Sequence, residues 1–161
     1  MAGIDDTYIV HCAQIVCDMG MRPSYLVLKR SHGVYIKNMA QITIKDCSAA
    51  DNIIPFGGCM SPENPMTLAA AQEITKQVYE ETGMDYQENA ADLFKAETED
   101  GKTVMQCLGE CQPVIVSVEW DKEKEDVYVE PGKKALIGAA ALVCKYGGII
   151  KIIDPGQPEA E

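Results

Sequence analysis

The sequence predicts a mainly β domain of many short strands, interrupted by an α-rich insertion over about residues 64–110. Three observations predict it. Apolar and polar residues alternate with period two in "HGVYIKNMAQITIKD" and again in "PVIVSVEW", the pattern of half-buried strands. Between those stretches, "NPMTLAAAQEITKQVYEETG" spaces its apolar residues as a helix does. Long crossover helices between strands are missing, which excludes a doubly wound nucleotide-binding fold.

Each element follows from local chemistry. From Tyr8 to about Asp46 the chain reads as short strands and turns. Val34 and Ile36 precede a Lys37-Asn38 turn, and Ala40, Ile42 and Ile44 then alternate with Gln41, Thr43 and Lys45; this predicts a hairpin. "DNIIPFGGC" reads as a tight buried corner around Phe56 that ends in Cys59. Asn64 is placed to cap a helix and Pro65 to occupy its first position. Leu68, Ala71, Ile74 and Val78 would form one stripe of that helix, and Gly83 supplies its stop. "YQENAADLFK" predicts a second short helix, and "AETEDGKTVMQ" a hairpin turning at Asp100-Gly101.

Beta character returns in "PVIVSVEW", where Val114, Val116, Val118 and Trp120 share one face. "DKEKED" reads as an exposed charged turn. "VYVEPGKKALIG" gives two strands around a Pro-Gly turn, and "LVCKYGGIIKIIDPGQ" a strand, a double-glycine turn and a last strand. The domain plan is one unit, with a β core over 8–63 and 111–157, the insertion over 64–110 and a disordered tail over 158–161.

Composition narrows the function. Lys and Arg number 14 against 25 Asp and Glu in 161 residues, a net charge of −11. Such a chain lacks the basic surface a nucleic-acid binder uses and is unsuited to anionic membranes. "MAGIDDTYIV" has neither the basic nor the apolar region of a secretory signal. The longest uncharged apolar run, "ALIGAAALVC", is about half a bilayer span. These features predict a soluble chain made in the cytoplasm; appearance outside the cell would need another export route.

Familiar enzyme constellations fail. A cysteine nucleophile needs a base, and the histidines are His11 and His32; no peptidase signature surrounds any cysteine. Ser31-His32-Gly33 is not a hydrolase elbow, and the double glycines at 57–58 and 147–148 lack phosphate-loop spacing. An enzyme is therefore not expected; a thiol enzyme would have to pair Cys59 or Cys12 with His11 or His32. No small-molecule substrate is indicated.

Seven cysteines, an odd number with no export signal, argue against a disulfide framework. "IVCDMG" and "LVCKYG" repeat one pattern near the two ends of the chain. Cys17, Cys59, Cys111 and Cys144 each sit beside a glycine or proline that sharpens the backbone. Four thiolates converging on a tetrahedral zinc need such turns. The spacing contains no Cys-x-x-Cys knuckle, so the same cysteines also suit small buried apolar positions. Cys12 and Cys107 form looser pairs with Cys17 and Cys111 and are alternate ligands. His32 is a further alternate, although a lone histidine beside glycine also suits a turn or cap.

Taken in order, "IVCDMGMRPSYLVL", "SHGVYI", "DNIIPFGGCMSPENP", "CQP" and "ALIGAAALVCKYGGIIKIIDPGQ" resemble the PAAR-like family. The resemblance covers Tyr8 to about Pro65 and Cys111 to Gln157. It implies a compact cone of short β-hairpins that caps the trimeric β-helical spike of a contractile injection system, either type VI secretion or an extracellular injection particle. It also implies help in membrane puncture, attachment of an effector or toxin, and a zinc ion near the apex. Such a protein is cytoplasmic when assembled and lies outside the cell, or in a target cell, after injection. Carried over by position, the zinc ligands are Cys17, Cys59, Cys111 and Cys144.

The chain departs from that pattern in three ways. PAAR proteins proper favour histidine ligands, the literal Pro-Ala-Ala-Arg motif is absent, and the insertion is long. The alternative is a zinc-binding adaptor that delivers an effector through its helical insertion.

Overall fold

A computed structural model describes residues 3–157; the tail expected to be disordered, 158–161, lies outside them. Twelve strands and two α-helices follow in chain order. They are β1 (Ala13–Cys17), β2 (Ser24–Leu26), β3 (Tyr35–Ile36), β4 (Met39–Ala40), β5 (Gly58–Cys59), α1 (Pro65–Thr82), α2 (Ala90–Phe94), β6 (Lys95–Glu97), β7 (Thr103–Met105), β8 (Gly109–Glu110), β9 (Glu123–Glu130), β10 (Lys133–Leu136), β11 (Ala141–Val143) and β12 (Ile149–Asp154). The fold is mainly β, as expected, and the named strand pairs are antiparallel.

One four-stranded sheet, in the order β11-β12-β1-β2, organises the molecule. It joins strands from the two ends of the described chain, with Cys17 opposite Ile150 and Val16 opposite Lys151. Its inner residues Ala13, Ile15, Leu26, Leu142, Ile150 and Ile152 enter a core completed by Ile9, Ile42, Phe56, Trp120 and Leu136. Four two-stranded pairs accompany it: the hairpins β3-β4, β6-β7 and β9-β10, and the pair β5-β8, whose strands are far apart in sequence. Lys37 and Asn38, both at positive φ, form the β3-β4 turn, as a two-residue hairpin turn requires.

The insertion grows from a paired stem. Gly58 opposes Glu110 and Cys59 opposes Gly109, so the chain leaves and re-enters the β part at one place. Helix α1 forms where its caps predict: the Asn64 side chain accepts the Met66 N–H at 2.9 Å, and Gly83 ends it at φ 77°. Its inner stripe is the expected one only in part: Ala71 is buried and Leu68 packs against the cluster beneath the helix. Thr67, Ala71 and Thr75 face inward, while Ile74 is exposed. The cause is close approach, because a Cβ on Gly109 would fall on the backbone of Thr67; that spacing admits small side chains. Ala71, Ala90, Met105 and Cys107 make a second, smaller apolar cluster.

Three further expectations are corrected. Gln41 and Thr43, read as outward residues, are buried. Their stretch runs between two others, with Ile42 N–H bonded to Ile9 O at 2.9 Å and Ile44 N–H to Lys134 O at 3.0 Å. In "PVIVSVEW" the valines are exposed and Trp120 is fully buried. The indole N–H of Trp120 donates to Asp46 O at 3.0 Å, which turns the ring away from the valine face. "DKEKED" is not a free turn, because β9 begins at Glu123, and Lys134 on β10 meets Glu123 at 3.8 Å.

Among the described residues no helix is long and apolar enough to cross a membrane.

Candidate functional site

The four cysteines selected from sequence line one cavity. Cys17 ends β1, Cys59 ends β5, Cys111 follows β8 and Cys144 follows β11; all four border a cavity of about 20 Å3, with Phe56, Gly148 and Ile150 among its other walls. That volume suits a single water or ion. Cys59 and Cys144 are buried, and Cys17 and Cys111 partly so.

The twin motifs are twin corners. Gly20 N–H bonds to Cys17 O at 2.9 Å, and Gly147 N–H bonds to Cys144 O at 3.0 Å, so each Cys-x-x-Gly closes the same turn. The corners interlock as well. The Asp18 carboxylate accepts the Ile149 N–H at 2.8 Å, and a Cβ on Gly148 would lie 2.5 Å from the Cys17 sulfur. Gly148 therefore lets the second corner close over the first thiol.

Backbone donors are aimed at the sulfurs. Ser61 N–H points at the Cys59 Sγ at 3.4 Å, and Phe56 N–H at the Cys111 Sγ, also at 3.4 Å. Burial pushes the Cys17 thiol up from its ordinary 9.0 to about 11; the Met19 N–H opposes this, and Asp18, Cys144 and Cys59 add to it. Burial likewise raises Cys111, with the Phe56 N–H opposing and Cys59 and Cys144 adding. The Cys17 and Cys111 thiols thus both feel Cys59 and Cys144 across the cavity. A cation there would reverse the balance, since thiolates are its ligands and their protons leave on binding.

The donor set fits zinc in kind: soft sulfur ligands, four in number, supplied by tight turns. In position it is more open. Among the described residues no three His, Cys, Asp or Glu side chains are grouped closely enough to hold an ion as they stand.

The alternates lie elsewhere. Cys107 belongs to the cluster under α1, its thiol directed at Thr67 O at 3.6 Å. Cys12 is exposed, with φ 73°. His32 is clamped between two carboxylates, Nδ1 at 2.9 Å from Glu130 and Nε2 at 2.8 Å from Asp46. It holds the β9-β10 hairpin to the loop after β4. Nδ1 of His11 accepts the Leu28 N–H at 2.9 Å. Neither histidine lines the cavity.

Sequence reading missed two residues of the site. Lys102, from the β6-β7 turn, donates to Gly147 O at 2.8 Å and pairs with Asp18. The hydroxyl of Ser61 bonds to Tyr146 O. Gly148 carried a signal, as the second glycine of a pair following a cysteine; Lys102 carried none.

A family model described as a domain of unknown function (DUF4280) matches residues 9–157. The chain belongs to the DUF4280 family. That match spans all four cysteines, both twin corners and the whole insertion. No curated protein and no solved structure matches this DUF4280 chain.

Proposed function

We propose that this DUF4280 chain is a PAAR-like spike-tip protein, seated on the trimeric β-helical spike of a contractile injection system. The observation that carries the reading is the cavity. The four cysteines that the PAAR-like resemblance selects come from four separate segments and border one small space. The absence of a recognised catalytic motif in the sequence accords with a structural role. In this reading the protein is assembled in the cytoplasm and leaves with the spike, to puncture a membrane and carry an effector.

Cys17, Cys59, Cys111 and Cys144 would hold a structural zinc at this place. Bound zinc would cross-link the end of β1, the corner after β11 and the stem of the insertion. Such sites contribute on the order of 10 kcal/mol to folding, a large share of the stability of a small domain. Co-purification with the trimeric spike protein tests the role. A chain that never associates with spike or injection particle overturns it.

A second reading adds an adaptor. It is favoured by the separate apolar cluster of the insertion and by its charge, ten acidic against three basic side chains over 64–110. Replacing 66–107 by a short linker would then abolish effector attachment while the β part stays folded. Attachment that survives the replacement removes this reading.

A further inference from the structure

A second group of sulfurs borders a different cavity. Met21, Met60, Met105 and Cys107 line a space of about 320 Å3, and Gln106 and Leu108 complete its walls. Backbone bonds gather these segments. Met21 N–H bonds to Gly58 O at 2.9 Å, at the stem of the insertion, and Met105 N–H bonds to Met60 O at 2.7 Å. Met105 and Cys107 are buried, whereas Met21 is 55% and Leu108 44% exposed, so the cavity runs from inner sulfurs to an open mouth. Methionine used for packing fills irregular gaps. Here three of them surround a space that stays open.

The donor set selects the ligand. Zinc sites are built from thiolate, imidazole and carboxylate, so a set dominated by thioethers is not a second zinc site. Thioether and thiolate sulfurs are soft donors and favour Cu(I). Charge points the same way. Among the described residues that line the cavity none carries a charge of its own. One thiolate and one monovalent cation make a neutral pair, which apolar walls tolerate, whereas a divalent ion would leave a net charge there.

We infer that this cavity binds one Cu(I) ion, held by the thioethers of Met21, Met60 and Met105 and by the thiolate of Cys107. The Cys107 thiol is directed at Thr67 O at 3.6 Å. On binding, its proton passes to solvent and the freed thiolate becomes the fourth ligand. This cavity and the four-cysteine cavity share no lining residue, and Cu(I) binding here is independent of the spike-tip reading.

The test adds Ag(I), a diamagnetic soft ion of the same charge, to the full chain with isotope-labelled methionine methyls. Stepwise addition is expected to shift the Met21, Met60 and Met105 signals together in one saturable step. Met66 and Met84, which are exposed elsewhere on the insertion, are expected to stay in place. Met60→Leu keeps the side-chain volume and is expected to weaken binding at least about tenfold, since losing a ligand costs no less than losing a group behind one. Met21→Leu, at the exposed mouth, should weaken it in the same direction without touching the fold. Cu(I), competed against a colorimetric chelator, should rank the three proteins in the same way. Signals that stay put at all three methionines overturn the inference, as does silver taken up only with release of zinc. Met66 and Met84 shifting at the same silver concentration mark adventitious thioether binding and overturn it too. So does affinity that both leucine variants retain.

Discussion

Lys102 reaches from the β6-β7 turn to the Asp18 carboxylate and ties the insertion to the corner that carries Cys17. The same amine holds Gly147 O, in the twin corner. One lysine thus braces both cysteine corners from outside. Lys102→Ala is expected to cost about 1 kcal/mol, because the pair is partly exposed, and to raise amide exchange at Asp18 and Ile149. Exchange that is unchanged at both residues would show that the brace does not act on the corners.

The cysteine cavity makes a prediction about metal. Native protein is expected to carry about one zinc per chain, and cobalt in its place should give the intense visible bands of a tetrahedral thiolate site. Cys144→Ser is expected to lose metal and to lower the thermal midpoint. Elemental analysis of native protein that finds no zinc removes the metal and leaves the fold as described.

Two glycines permit contacts that no other residue allows. Gly148→Ala would drive a methyl group into the Cys17 sulfur, and Gly109→Ala into the backbone of Thr67. Overpacking of this kind costs about 1–3 kcal/mol, occasionally more. The two variants are expected to differ in kind. Gly148→Ala should weaken metal retention, whereas Gly109→Ala should loosen α1 and spare the metal. Denaturant titration with zinc content measured alongside checks both.

Glu130 predicts an acid limb. Its carboxyl is held below its ordinary 4.5, first by the His32 hydrogen bond and then by Lys133. A depressed folded value contributes stability that is present above the unfolded pKa of 4.5 and lost as pH falls through the folded one. Glu130→Gln is therefore expected to flatten the loss of thermal midpoint between about pH 5 and 3. An acid limb identical to that of wild type would sink this assignment.

Trp120 is expected to be the costliest single side chain to truncate. Trp120→Phe leaves Asp46 O without its donor, at about 1–3 kcal/mol, and Trp120→Ala adds a cavity, for about 3–5 kcal/mol in all. Urea midpoints order the three proteins. Trp120→Phe as stable as wild type would mean that water replaces the indole.

What was legible in the sequence was what local chemistry controls. Asn64, Pro65 and Gly83 announced α1, and Asn38, Gly101 and Gly132 announced three hairpin turns. The four cysteines stood out because glycine or proline sharpens the chain beside each one. The inward turn of Trp120 was hidden, because a carbonyl far away in sequence, at Asp46, decides which way the ring points. Gln41 and Thr43 looked like surface residues because alternation cannot report that both sides of a strand are covered. The inner face of α1 was misread because Gly109, on another element, sets the clearance. The charge run at 121–126 hid the start of β9, since the lysine that meets Glu123, Lys134, lies on a strand further along the chain.

The order β11-β12-β1-β2 has a consequence for how the chain is made. β1 ends at Cys17, yet one of its neighbours in the sheet is β12, which begins only at Ile149 and so is translated well after it. At typical synthesis rates roughly ten seconds separate the two. During that interval Ile15 and Cys17 lack their partners Ile152 and Ile150, so the nascent chain exposes an unpaired edge beside an oxidisable thiol. Closure waits for residues 149–154. A ribosome that stalls just short of them would leave a chain open to aggregation, and a chaperone holding the first strand would have most to protect there.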